Sequence, residues 1–192
     1  MKKSVLFSLV IVSTIVVLCC NKVKSLLNIE INVPFSQSIE IPAMSVYDTV
    51  GLHYFPSAGV HYSSALLPVA TGEQNFLTNY KTDTNLIDTF SMVSLTLLDS
   101  PSTASFSYMD TAQVYICLSA NDSTLIASKY GTPNFTLDSL VMDVNSNVNL
   151  RNYFLRDSFY FKFSGHFVSL PPNGLQQITV NAVMHIGANP LN

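Results

Sequence analysis

Apolar and polar residues alternate with a period of two along most of the chain beyond residue 26. Leu27, Ile29, Ile31 and Val33 alternate with Asn28, Glu30 and Asn32; Val93, Leu95 and Leu97 alternate with Ser94 and Thr96; Val114, Ile116 and Leu118 alternate with Gln113, Tyr115 and Cys117. Successive side chains of a strand point to opposite faces, so each run predicts a strand with one buried and one wet face. Near the end, Phe159, Phe161, Phe163 and Phe167 share one parity, and Tyr160, Lys162, Ser164 and His166 the other. Ile178, Val180, Ala182, Met184 and Ile186 repeat the pattern. Candidate strands near 37–42, 48–55, 60–67, 104–109, 124–129 and 135–142 bring the total to about ten, the signature of a sandwich or barrel.

The segments between these runs carry turn chemistry. Pro56-Ser57-Ala58-Gly59 predicts a hairpin between 52–55 and 60–63, a register that sets His53 opposite Tyr62 and Tyr54 opposite His61. Pro171-Pro172-Asn173-Gly174 separates the last two long strands, and if these pair, His166 and His185 share a face. Residues 84–90 predict one helical turn, with Thr84 as cap and Leu86 stacked on Phe90; Leu150, Tyr153 and Phe154 predict another. Residues 71–84, the least apolar stretch, read as a surface loop. A lipid-facing barrel needs apolar residues outside and aromatic girdles at both rims, which these alternations do not supply. The expected fold is therefore all-β, an antiparallel immunoglobulin-like β-sandwich with one or two short helical turns.

Length and composition sharpen this. With 192 residues the chain suits one domain, and 48% apolar residues exclude a disordered chain. Charged residues make up 11% and the net charge is −3, with 9 Lys and Arg scattered or gathered at the start. Nucleic acid, which needs a basic patch, is excluded as a partner.

The first residues follow a different logic. Met1-Lys2-Lys3 is a basic start, and the uncharged apolar run from Val5 to Leu18 falls short of the roughly 20 residues of a membrane-spanning helix. Cys19 and Cys20 follow, then the polar Asn21-Lys22-Val23-Lys24-Ser25. This layout resembles the lipobox of bacterial lipoproteins, with Val17, Leu18 and Cys19 preceding an acylated Cys20. Cys19 departs from the Gly, Ala or Ser usual at its place. The resemblance implies a signal peptide over 1–19, a lipidated tether over 20–26 and a single β-sandwich domain over 27–192. The competing readings are an ordinary signal cut nearby and an uncleaved anchor. Beyond the lipobox-like start, the turn-then-strand of 86–98 and the stretch 148–163 leading into the Phe-rich strand make the chain similar to small β-sandwich lipoproteins of the Bacteroidetes type. That likeness implies an outer-membrane position with the lipid as membrane anchor, and it brings no catalytic residues. The acidic cluster that resembles a surface-export signal is missing from 21–25, which favours the periplasmic face over the cell surface.

Candidate chemistry is sparse. His53, Tyr54, Phe55, His61 and Tyr62 form a candidate ring-stacking platform for a sugar or peptide, against the plainer reading of cross-strand packing. The four histidines lack zinc-ligand spacing. Asp143, Asn145, Asn147 and Asn149 mimic a calcium loop, but Val148 and Phe154 stand where its turn glycine and bidentate glutamate belong. Hydrolase, Walker and Rossmann motifs do not occur, and neither a metal nor a cofactor is implied. Eight of the nine Asp are followed by Ser or Thr, and four of these continue so as to resemble a Bacteroidetes O-glycosylation sequence, with Thr49, Thr111, Ser123 and Ser139 as acceptors. Turn closure by the same residue pairs is the rival explanation. The expected role is a non-enzymatic envelope lipoprotein binding a protein partner or a glycan. A fimbrial or adhesin subunit polymerising by strand donation is the alternative, and an enzyme with a spatially assembled site comes third.

Overall fold

The computed structural model describes residues 29–41, 46–47, 53–70, 87–100, 105–131, 138–156, 158–171 and 176–188. In chain order the strands are β1 (Ile29–Ile41), β2 (Val46–Tyr47), β3 (His53–Tyr54), β4 (Val60–Ser63), β5 (Leu67–Ala70), β6 (Ile87–Ser100), β7 (Met109–Ser119), β8 (Asp122–Tyr130), β9 (Ser139–Val141), β10 (Asp143–Val144), β11 (Ser158–Phe167) and β12 (Gln176–Ala188). A 3-10 turn covers Phe106–Tyr108, and one helical turn, α1, covers Arg151–Phe154. The strands form an antiparallel sandwich. One sheet has the order β1-β12-β6-β9; the other runs β10-β8-β7-β11-β4, with β5 also on β11. β2 and β3 pair separately.

The period-two pattern explains the core. Phe159, Phe161, Phe163 and Phe167 of β11 are all buried, while Tyr160, Lys162, Ser164 and His166 face outward. They meet Ile39, Leu95 and Val180 of the facing sheet in one apolar cluster. Burying each such side chain contributes about 1.5–3 kcal/mol, so β11 alone supplies a large share of the driving force. The chain changes sheets at Met142, whose N–H donates to Leu95 O at 2.9 Å as β9 gives way to β10.

Several expected elements differ, each for a physical reason. The described parts of the runs 27–33 and 37–42 join into the single 13-residue β1. Pro34 is tolerated because, among the described residues, β1 is an edge strand with a neighbour on one side only. The turn expected over 84–90 is extended from Ile87 onward, its residues held in the ladder with β12; Thr84 and Leu86 lie outside the described residues. The expected strand over 104–109 is the 3-10 turn, pinned by Tyr108 OH donating to the buried Asp99 Oδ2 at 3.0 Å. Burial and the adjacent carboxylate push the Tyr108 phenol far above its usual value.

The inward set Val93, Leu95, Leu97 is broken. Ser94 pairs Val183 and Met92 pairs Met184, so Val93 is an extra bulge residue and turns outward, 52% exposed. Cys117, expected on the wet parity, is fully buried beside the inward Ile116, and burial raises its thiol pKa. α1 matches the expected second helical turn. Asn149 Oδ1 accepts the Arg151 N–H at 2.9 Å, and the Phe154 ring lies 4.8 Å from that of Phe90. The loop expected over 71–84 lies outside the described residues.

Candidate functional site

The predicted hairpin is replaced by a different pairing. The turn forms, with Gly59 N–H donating to Pro56 O at 2.9 Å, but β3 pairs with β2 and β4 pairs with β11. His61 therefore stands opposite His166, not Tyr54. β11 and β12 belong to different sheets, so the expected pairing of His166 with His185 does not occur either.

Across the six-stranded sheet, His61 of β4, His166 of β11, Thr111 of β7 and Tyr130 of β8 form one continuous row. His61 is exposed and Tyr130 is 61% exposed. The next row is Ser63, Ser164, Gln113, Ser128 and Asp143. Outward parity and register thus gather two histidines, Tyr130 and Gln113 on one face, with Tyr115 next to them opposite Lys162.

His166 is the anchor of this face. Its Nδ1 lies 2.8 Å from Asp110 Oδ1, its Nε2 lies 3.1 Å from Ala58 O, and its ring centroid is 4.5 Å from that of His61. Asp110 reaches it because Phe167 pairs Met109 while His166 pairs Thr111, leaving Asp110 as a bulge residue whose side chain is re-aimed. The turn reaches it because Gly59 has φ of +76°, and a Cβ there would collide with His166 Nε2. Both ring nitrogens face acceptors, and a neutral imidazole can donate from only one. The hydrogen bond to Asp110 raises the His166 pKa; burial opposes it and the Ala58 carbonyl supports it.

Gln113 bridges the tyrosines, donating from Nε2 to Tyr130 OH at 2.8 Å and accepting from Tyr115 OH at 3.1 Å. Lys162 Nζ sits 5.6 Å from the Tyr115 ring centroid. The resulting surface has fixed rings, amide and hydroxyl groups and the cation of Lys162, with Lys129 paired to Asp143 at its edge. It offers stacking and hydrogen bonding to a ligand, with both nitrogens of His166 engaged by Asp110 and Ala58.

Of the five expected platform residues, His61 lies on this face. Tyr62 points inward, its ring 6.1 Å from Phe167 and its OH donating to Glu40 O at 3.3 Å. Phe55 packs on the core, and His53 and Tyr54 lie in the β2–β3 ladder. Phe55 and Tyr62 are thus drawn toward the core, while His61 faces outward. His166, Asp110, Gln113, Tyr115 and Tyr130 were missed as a group; the parity of β7 and β11 marks several as outward, but nothing local says that β4, β11, β7 and β8 are neighbours.

The remaining candidates scatter. Thr111 is half-buried within the His–Tyr row, Ser123 is exposed at the start of β8, and Ser139 is half-buried on β9. Cys20 and Thr49 lie outside the described residues. The calcium-like run is otherwise employed, with Asp143 paired to Lys129 at 2.9 Å and Asn149 bonded to the Arg151 N–H. Among the described residues, no three of His, Cys, Asp and Glu lie close enough to hold a metal ion.

No family model and no curated protein matches the chain. Among solved structures it is similar to the decameric BFDV capsid protein, at 8% identity and TM-score 0.36, covering 83% of this chain and 99% of that one. It is also similar to the xylan-binding module CBM86 of Roseburia intestinalis, at 10% identity and TM-score 0.29, covering 84% and 97%. The family 32 carbohydrate-binding module of Clostridium perfringens NanJ, solved with galactose, gives 10% identity and TM-score 0.29, covering 80% and 99%. At these scores the likeness says nothing of ligand or ancestry.

Proposed function

We propose that the protein is a non-enzymatic binding module of the bacterial envelope, anchored through a lipid on Cys20 at the periplasmic face of the outer membrane, whose His61–His166–Tyr130 face takes a glycan. The observation that carries the binding half is the exposed ring of Tyr130 held in place by Gln113, in one row with the exposed His61. A sugar presents an apolar CH face to an aromatic ring and hydroxyls to the amide and imidazole groups beside it. Fixed rings lose little entropy on binding, which favours such a platform.

The anchor half rests on the basic start, the short apolar run and the cysteine pair ahead of a polar tether. Each buried methylene contributes about 0.8 kcal/mol, so a multiply acylated cysteine holds stably where a single chain would not.

Two experiments test the two halves separately. On a glycan array, wild-type protein is expected to bind a defined set of glycans, and Tyr130→Ala and His61→Ala are each expected to weaken that binding about tenfold, the equivalent of 1.4 kcal/mol. Binding unchanged in both variants would remove this face from the function. Labelling of growing cells with radioactive palmitate is expected to mark the wild type and spare Cys20→Ala; an unlabelled wild type would refute the anchor, and label retained by the variant would refute Cys20 as its site.

A further inference from the structure

The opposite, outer face of the four-stranded sheet holds a second opening that the His–Tyr row does not touch. It is a cleft of about 340 Å³ lined by Pro34, Ser36, Ser94, Thr96, Asn181 and Val183. That volume lies at the lower end of the roughly 300–1,000 Å³ of small-molecule sites.

The lining comes from two adjacent cross-strand rows. Ser36, Asn181 and Thr96 stand opposite one another on β1, β12 and β6, and Pro34, Val183 and Ser94 form the next row. The first row is wholly polar and the second mostly apolar. The bulge at Val93 lies beside Ser94, and a bulge bends its strand and increases the local twist, so the hollow sits at a local bend of β6.

None of the side chains of Ser36, Ser94, Thr96 and Asn181 makes a hydrogen bond within the described residues. Four donor–acceptor groups are thus unspent around one hollow, next to a small apolar step. No charged residue lines it.

We infer that this cleft is a binding site for a neutral saccharide of one or two sugar units, independent of the His–Tyr face. An ionic ligand would find no counter-charge in the lining, and a purely apolar one would strand four polar groups. A neutral sugar satisfies both conditions. Its ring hydroxyls meet the Ser36–Asn181–Thr96 row, and its CH face rests on Pro34 and Val183. Neighbouring strands are about 4.8 Å apart, so the polar row spans about 10 Å, the reach of a short saccharide.

The test is a titration of isotope-labelled protein with maltose, lactose and xylobiose, followed by the side-chain amide signals of Asn181 and the backbone signals of Ser94 and Thr96. At least one of the three sugars is expected to give a saturable shift at these positions. Thr96→Val, which keeps the shape and removes the hydroxyl, is expected to weaken that binding about five- to tenfold, the value of one net hydrogen bond. Asn181 signals that stay unmoved by all three sugars would overturn the site. Shifts confined to Tyr130, Gln113 and His61 would overturn it too, and would leave the function proposed for the other face standing.

Discussion

His166 shows how one residue ties together segments that are distant in sequence. It sits on β11, bonds the bulged Asp110 of β7 through Nδ1 and receives the Ala58 carbonyl of the glycine-dependent turn at Nε2. With an acceptor on each side, the protonated ring satisfies both contacts, whereas the neutral ring must give up one. Its folded-state pKa is raised above the ordinary histidine value. A group with a raised folded pKa adds stability in full below its unfolded pKa, about 6.5 for histidine, and loses that contribution as pH rises through the folded value. Stability measured by urea unfolding is therefore expected to fall from pH 6.5 upward more steeply in the wild type than in His166→Gln. Parallel curves would show that the two contacts do not favour the charged ring.

At the scale of elements, what the sequence makes readable is parity, and what it hides is register. The four buried phenylalanines of β11 are apparent from alternation alone, because a strand has no other way to place every second side chain on one face. Val93 is not apparent, because the bulge that turns it outward is an event of the β6–β12 pairing and leaves no mark in the local pattern. Asp110 is hidden for the same reason, and so the candidate site was legible only in its separate strands. The five residues around the Pro56–Gly59 turn look like a platform because sequence neighbours usually pair, yet β4 chose β11 and carried His61 away from Tyr54. A pair of substitutions separates pattern from register. Leu95 is fully buried and Val93 is 52% exposed, although both have the same parity. Leu95→Thr is expected to cost at least the roughly 2–5 kcal/mol of a core truncation, with a buried hydroxyl added, while Val93→Thr should stay within about 0.5 kcal/mol of wild type. Equal losses by chemical denaturation would return Val93 to the core and remove the bulge.

On the scale of the whole molecule, the two ends of the sandwich are not equivalent. β1 starts at Ile29 opposite Ala188, and Ala188 pairs Ile87, whose carbonyl accepts from Nε of Arg151, the first residue of α1. At the other end Ile178 pairs Asp99, which accepts from Tyr108, and Tyr62 donates to Glu40. Those two contacts place the His61–His166 row at the end remote from Ile29. The thirteen residues of β1 span about 40 Å at 3.3 Å per residue. On the proposed anchoring, Cys20 precedes Ile29 by nine positions, so the tether reaches at most about 30 Å even when fully extended. The α1 end then stands toward the bilayer and the His–Tyr row points away from it, clear for a ligand. This geometry is open to measurement on lipidated protein in vesicles that carry an energy-transfer acceptor in their headgroups. Donor dyes are attached through Asn152→Cys in α1 or Ser57→Cys in the turn beside His166, both exposed positions, while Cys117 is buried and shielded from the dye. Transfer is expected to be clearly stronger from position 152 than from position 57. Equal transfer would mean that the domain tumbles on its tether with neither end preferred, and the reverse order would mean that the binding row faces the membrane. Either result would reject a fixed outward presentation of the row.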